Sequence, residues 1–239
     1  MTKFKSKKQR KKENTRRLAI AIFLGMLIIA ILFYKPYYLE SNPKNLRFIG
    51  ISYLNKKSFI DASKAFNKAL KIENSPINKY YLGYSLIQSG YNDEGLKLLE
   101  EAKVLEPDSP DIYLAFGDYY ISQQNFDKAL ENYKLAYKKG ANAKVYMKLG
   151  VYYLETKQTT KSYKNLIRSF DLDPNNLDLY PYLAEIYTRK GLFISAFDAY
   201  DHYIREKCKQ GIPYSYMLNN EYEAIKKKMK GLRDLAGEM

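Results

Sequence analysis

The sequence predicts an all-α chain in three parts. A single N-terminal transmembrane helix comes first, then an α-solenoid of about five helix-turn-helix repeats, then a C-terminal capping helix. Three observations predict it. A small residue returns at Gly50, Gly83, Gly117, Gly150 and Ala184, at intervals of 33, 34, 33 and 34 residues. Each return carries the same companions, so the period belongs to a structural unit rather than to one residue type. A charge-free apolar run, Leu18 to Tyr34, separates this array from a block of basic residues. A period of this length means stacked units instead of one globular core.

The basic block comes first in the chain. Residues 1–17 hold nine Lys/Arg against the single acid Glu13, which leaves only +6 of the chain's net +14 for everything after them. A like-charge block of this kind is a solvated tail. The span 18–38 reads as a signal-anchor helix that is not cleaved. Its 17 uncharged residues reach about 26 Å, close to a hydrocarbon core of about 30 Å. Eleven of them are Leu, Ile or Phe, and Tyr34, Tyr37 and Tyr38 stand at the far end, where rings favour the interface. A cleaved leader needs small residues after the apolar core, and FYKPYYLE offers none. The excess of Lys/Arg before the span puts the N-terminus in the cytoplasm and the rest outside a bacterial inner membrane, in the periplasm. Lys7, Lys8, Arg10, Lys11, Lys12, Arg16 and Arg17 then face anionic lipid. A nucleic-acid role for the tail lacks stacking aromatics and a base-reading motif.

The repeats follow over 43–210, as units 43–75, 76–109, 110–142, 143–176 and 177–210. Pro43, Pro76 and Pro110 each precede the small residue by seven positions, and proline suits the first turn of a helix. An apolar residue stands just before the small one (Ile49, Leu82, Phe116, Leu149, Leu183), and a ring or leucine three after it (Tyr53, Leu86, Tyr120, Tyr153, Tyr187). Twelve residues on comes a second small residue, at Ala62, Gly95, Ala129, Ser162 and Ala196. Phe66, Leu99, Tyr133, Leu166 and Tyr200 follow four later, and Ala69, Ala102, Ala136 and Ser169 three later again, with Tyr203 breaking the rule. Small residues on both helices let the backbones cross closely. Two such helices cannot bury their apolar faces alone, so neighbouring units must stack.

On these residues the chain resembles the tetratricopeptide repeat family. The third unit meets the family pattern most fully, with Tyr113, Phe116, Gly117, Tyr120, Ala129, Tyr133 and Ala136. The closing proline survives as Pro107 and Pro174. The departures are Lys79 at the first aromatic place, Gly95 and Ser162 at the central alanine, and the degenerate end of the fifth unit. The resemblance covers Pro43 to about Gln210, about 70% of the chain. It implies a concave surface lined by first helices, with protein-binding positions at Arg47, Ile51, Tyr80, Tyr84, Ile87, Leu114, Asp118, Ile121, Met147, Val151 and Leu154. The basic set that holds a free carboxylate in some members is not reproduced, because Ile51 stands where asparagine is needed.

After the repeats, 211–239 carries Tyr216, Leu218, Tyr222, Ile225 and Met229 at roughly helical spacing, as a capping helix for the last unit requires. Catalytic chemistry finds no residues to carry it. His202 and Cys208 are the only residues of their types, neither sits in a motif, and one cysteine forms no internal disulfide. No phosphate loop, dinucleotide fingerprint or metal motif occurs, so no enzyme activity, cofactor, metal or small-molecule substrate is expected. The expected function is a non-enzymatic scaffold in a multiprotein envelope machine of flagellar-motor, secretion or pilus type, binding other envelope proteins. The alternative is a membrane-tethered chaperone beside the protein-export channel.

Overall fold

The computed structural model describes residues 15–29 and 41–209, together with Lys227, Lys230, Gly231, Arg233, Asp234 and Gly237. The chain divides into two compact units, Met1–Ala102 and Lys103–Met239. The division falls inside one helix.

In the first unit, α1 covers residues 15–29. It is followed by α2 (Pro43–Asn55), α3 (Phe59–Ile72), α4 (Pro76–Gln88) and the part of α5 (Asn92–Leu105) up to Ala102. Helix α2 starts where Asn42 caps it, its side chain accepting from the Lys44 amide at 2.9 Å with Pro43 next in line. Phe66, Ala62, Leu82 and Leu86 form the core, with Ile51, Leu54, Leu70, Tyr81 and Leu98 packed around them.

The expected transmembrane helix over 18–38 requires correction. No helix among the described residues is long and apolar enough to cross a membrane. Residues 30–38 of the expected span lie outside the described residues, as do Lys7, Lys8, Arg10, Lys11 and Lys12. Arg16 and Arg17 are exposed on α1.

The second unit contains α6 (Pro110–Ser122), α7 (Phe126–Lys139), α8 (Ala143–Glu155), α9 (Thr159–Leu172), a 3-10 turn (Leu177–Leu179), α10 (Tyr180–Arg189) and α11 (Phe193–Lys209). Among its described residues are two core clusters. Leu114, Ala129, Tyr133, Ala136, Val145, Leu149 and Tyr152 make one. The other gathers Leu154, Leu166, Leu179, Leu183, Ile186, Tyr200 and Tyr203 around Ala184 and Ala196. The fifth pair departs from the others for a plain reason. Pro181 lies at the start of α10, where a missing N–H costs nothing, so the residues before it form a 3-10 turn instead of a full first helical turn. Tyr203, the odd residue of the pattern, is buried. Of the expected capping helix 211–239 most lies outside the described residues, though Arg233 is described and stands over the Phe197 ring at 5.1 Å.

Within each pair the helices cross at the two small residues, and the crossings differ in what fills them. At Gly50 and Gly117 the approaching atoms are the rings of Phe66 and Tyr133. At Gly83 it is backbone. An added Cβ there would lie 2.8 Å from the Gly95 carbonyl oxygen, and one at Gly95 would lie 2.7 Å from the Gly83 carbonyl oxygen. Gly95, a departure from the alanine pattern, therefore permits the backbones themselves to touch. Ser162, another departure, donates its hydroxyl to the Gly150 carbonyl at 2.8 Å, and Ser169 donates to the Ala143 carbonyl at 2.8 Å. Both buried hydroxyls are satisfied by the first helix of their own pair.

The turn inside each pair needs one residue with positive φ. Lys57 (56°), Gly90 (90°), Gln124 (57°), Lys157 (60°) and Gly191 (72°) supply it, again one repeat apart. Only two of the five are glycine, so three L-residues sit in a region costing about 1–2 kcal/mol.

Two outcomes follow for thermal unfolding of the full chain. Gly83→Ala should cost about 1–3 kcal/mol, because the atom it meets is a carbonyl that cannot rotate away. Gln124→Gly should raise stability by up to about 1 kcal/mol, since relief of strain outweighs the greater freedom of the unfolded chain.

Candidate protein-binding faces

Asn78 organises the start of α4 in the first unit. It is fully buried, and its amide donates to the Glu73 carbonyl at 2.7 Å and to the Ala69 carbonyl at 3.3 Å. Those carbonyls close α3, where no further helical turn follows, and each accepts from the Asn78 amide in addition to a backbone N–H. Arg47 of α2 completes the cluster, donating to the Asn78 side chain at 3.1 Å and to the Glu73 carboxylate at 2.6 Å. Arg47, a sequence-predicted binding residue, thus fastens two helix pairs together. At Lys79 an ion pair with Glu101 replaces the expected aromatic contact, and the lysine holds the Glu101 carboxyl below the usual range.

The other predicted positions of this unit line up along α2 and α4. Ile51 packs half-buried on the core. Tyr80 and Ile87 are buried. Tyr84 is half-buried, its ring stacked on that of Tyr80 with centroids 6.3 Å apart. Tyr84 is therefore the ring of this set with surface left to offer.

In the second unit the first helices α6, α8 and α10 carry the face. Leu114 and Leu154 are buried in the two cores. Ile121, Met147 and Val151 pack against those cores while staying half-exposed. Asp118 accepts from the Tyr133 hydroxyl at 2.8 Å and pairs with Lys148 at 2.6 Å. Asp111 pairs with Lys144 in the same sense, from α6 to α8. On α10, Arg189 pairs with Glu185 and also donates to the Leu154 carbonyl at 3.0 Å. Beyond these pairs stands Glu155, at the last position of α8. Partial loss of water pushes its carboxyl up, Asp118 and Glu185 push the same way, and Lys148 opposes them.

Sequence reasoning placed Asp118, Met147 and Val151 on this face but missed Lys148, Glu185, Arg189 and the hydroxyl of Tyr133. The ion pairs join residues 33 and 30 apart in sequence, one repeat period and about one helical turn less, and that spacing was the available signal. The two residues considered for chemistry are apart from it. His202 lies on the Tyr180 ring, centroids 4.5 Å apart, and Cys208 is a half-buried free thiol.

Comparison with known proteins agrees with this architecture. The family model described as tetratricopeptide repeat matches residues 110–138 and 143–176. Cilia- and flagella-associated protein 70 of Homo sapiens is 24% identical over 162 residues, covering 66% of this chain and 14% of its own length. The chain thus spans a small part of the curated relative it matches. A thermophilic TPR protein of Thermus thermophilus superposes with a TM-score of 0.63 at 18% identity, covering 77% of this chain and 98% of its own. The pilF protein of Pseudomonas aeruginosa gives 0.52 at 15%, covering 78% and 97%. At these identities the likeness establishes the fold alone.

The expected location in a bacterial inner membrane, single-pass with a periplasmic array, is corrected with the anchor it rested on. No described helix is able to span, and the curated relative is a human cilia- and flagella-associated protein.

Removing the Asn78 amide should be costly. Asn78→Ala removes the buried amide that ties α4 to the end of α3 and leaves one Arg47 contact unmet, and unfolding of the variant should show a loss of about 1–3 kcal/mol.

Proposed function

We propose that this chain, whose helix pairs are tetratricopeptide repeats, is a non-enzymatic scaffold that holds a protein segment against the faces of its first helices. One observation carries the reading. On the first helices the core residues are filled in, yet Tyr84 in one unit, and Ile121, Met147 and Val151 in the other, keep part of their apolar surface, the last three on helices that also carry paired charges. Apolar anchors within a polar frame are the usual composition of a peptide-binding face. Assembly of a multiprotein machine is the finer form of this proposal, and it needs no anchor.

The frame also separates the scaffold from a general chaperone. Asp111 with Lys144 and Asp118 with Lys148 set a charge pattern that a partner must complement. A surface for holding unrelated unfolded chains gains nothing from such selection. The scaffold is the reading favoured.

Purification of the tagged full chain from its own cells should bring down one partner in fixed proportion. Recovery of the chain alone, or with a broad mixture of unfolded proteins, argues against it. Tyr84→Ala should weaken that partner's binding more than it lowers the melting temperature, as read by calorimetry on the same preparations. The opposite order would make the ring a packing element.

A further inference from the structure

One stripe of the second helices returns at the same repeat positions in all five pairs. It holds Asp61 on α3, Glu94 and Glu101 on α5, Glu131 on α7 and Asp198 on α11, so four of the five stripes contain an acid. On α9 the same stripe is Lys161, Lys164 and Arg168, with Lys157 in the turn before the helix. All four are exposed, and no acid occurs between Glu155 and Asp171. Helical spacing lines Lys161, Lys164 and Arg168 along one side of α9, and with Lys157 the run covers about 16 Å.

These charges are not neutralised from within the chain. Lys161 donates to the Gln158 side chain at 2.8 Å and stands over the Tyr153 ring at 5.4 Å, contacts that hold the amine and leave its charge. None of the four enters an ion pair among the described residues, whereas Asp61 answers Lys64 in the same stripe of α3. Lys161 also stands in the first turn of α9, where the helix dipole disfavours a cation. On α3, α5 and α7 that turn holds Asp61, Asp93 with Glu94, and Asp127. The arrangement works against the helix by itself, and an anion laid along it relieves both the like-charge repulsion and the dipole.

The width of the stripe selects its occupant. Glu131 and Asp198 stand exposed at matching places on the second helices before and after α9, so the basic surface is one helix wide. A membrane plane or a nucleic-acid backbone covering several helices would bring its negative charge onto those acids. A single acidic helix avoids them. Laid along α9 with carboxylates at the same intervals, it meets the bases turn by turn, whereas an extended segment turns alternate side chains away. Leu172, exposed one turn beyond Arg168, adds an apolar contact at the end of the run.

We propose that α9 receives an acidic helical segment of a partner protein along Lys157, Lys161, Lys164 and Arg168. This surface belongs to a second helix, and its occupancy does not depend on the first-helix reading above.

Fluorescence anisotropy of the full chain compares three labelled alanine-based helical peptides. One carries four glutamates at the spacing of the stripe, one the same glutamates spread around the helix, and one glutamine in their place. The first should bind most tightly and be released as salt rises. Combining Lys157→Gln, Lys161→Gln, Lys164→Gln and Arg168→Gln should weaken it by at least about tenfold, several exposed ion pairs acting together. Removing four charges from the tail instead, by Lys7→Gln, Lys8→Gln, Lys11→Gln and Lys12→Gln, should leave binding nearly unchanged. Equal weakening by the two variants would mean that net charge draws the peptide, and equal binding of the two glutamate peptides would mean that no stripe is matched. Either result overturns the proposal. So does a failure of the peptide to bind while phosphatidylserine vesicles or an oligothymidylate bind through the α9 bases. Lys164→Gln alone should weaken the peptide and melt no lower than the parent chain. A lower melting temperature with unchanged binding would make that charge structural and sink the idea.

Discussion

Each helix pair depends on how closely two backbones approach at one crossing. The distance is set by the side chains removed from it. Where both residues are glycine, at Gly83 and Gly95, each carbonyl oxygen occupies the space that a Cβ on the facing residue would need. Where one is glycine, a ring or leucine lies over the gap: Phe66, Tyr133 and Leu166 do this at Gly50, Gly117 and Gly150. The large residues four positions after the second small one are thus lids over a crossing already closed by its small ones. Close packing turns the removal of a few methyl groups into burial of a whole aromatic face.

Polar groups enter these crossings only when the crossing supplies a partner. Ser162 and Ser169 look like interruptions of an alanine pattern, yet each hydroxyl finds a carbonyl on the first helix of its own pair. Asn78 does the same for the exposed end of α3, and draws Arg47 and Glu73 into one cluster. Buried polarity adds geometric specificity here. Each such contact forms only when the two helices sit in one register.

Charge on the first helices follows from the same stacking. Residues one repeat apart, or one repeat less a helical turn, fall side by side on successive first helices, so Asp111 meets Lys144 and Asp118 meets Lys148. Glu155 closes α8 at a place where the next first helix offers Glu185, already paired with Arg189. The series of pairs leaves one carboxylate over. A repeat architecture produces such remainders readily, because each position is answered by the position one period on and by little else.

Periodicity alone determined the helix pairs, their order and their small-residue crossings, since one face pattern repeated five times has few other ways to be buried. The arrangement of Pro43, Pro76 and Pro110, and of Gly50 through Ala184, was legible for that reason. What the sequence did not disclose were features whose meaning depends on a neighbour. Arg47 read as a binding residue and is engaged by Asn78 and Glu73. The positive-φ positions Lys57, Gln124 and Lys157 carry no glycine to announce them. The apolar run from Leu18 read as a spanning helix, and no described helix has the length and apolar content to span. Tertiary structure decided these points because exposure, pairing and backbone strain are properties of two elements in contact, and a pattern written along one strand of sequence records only which side a residue faces.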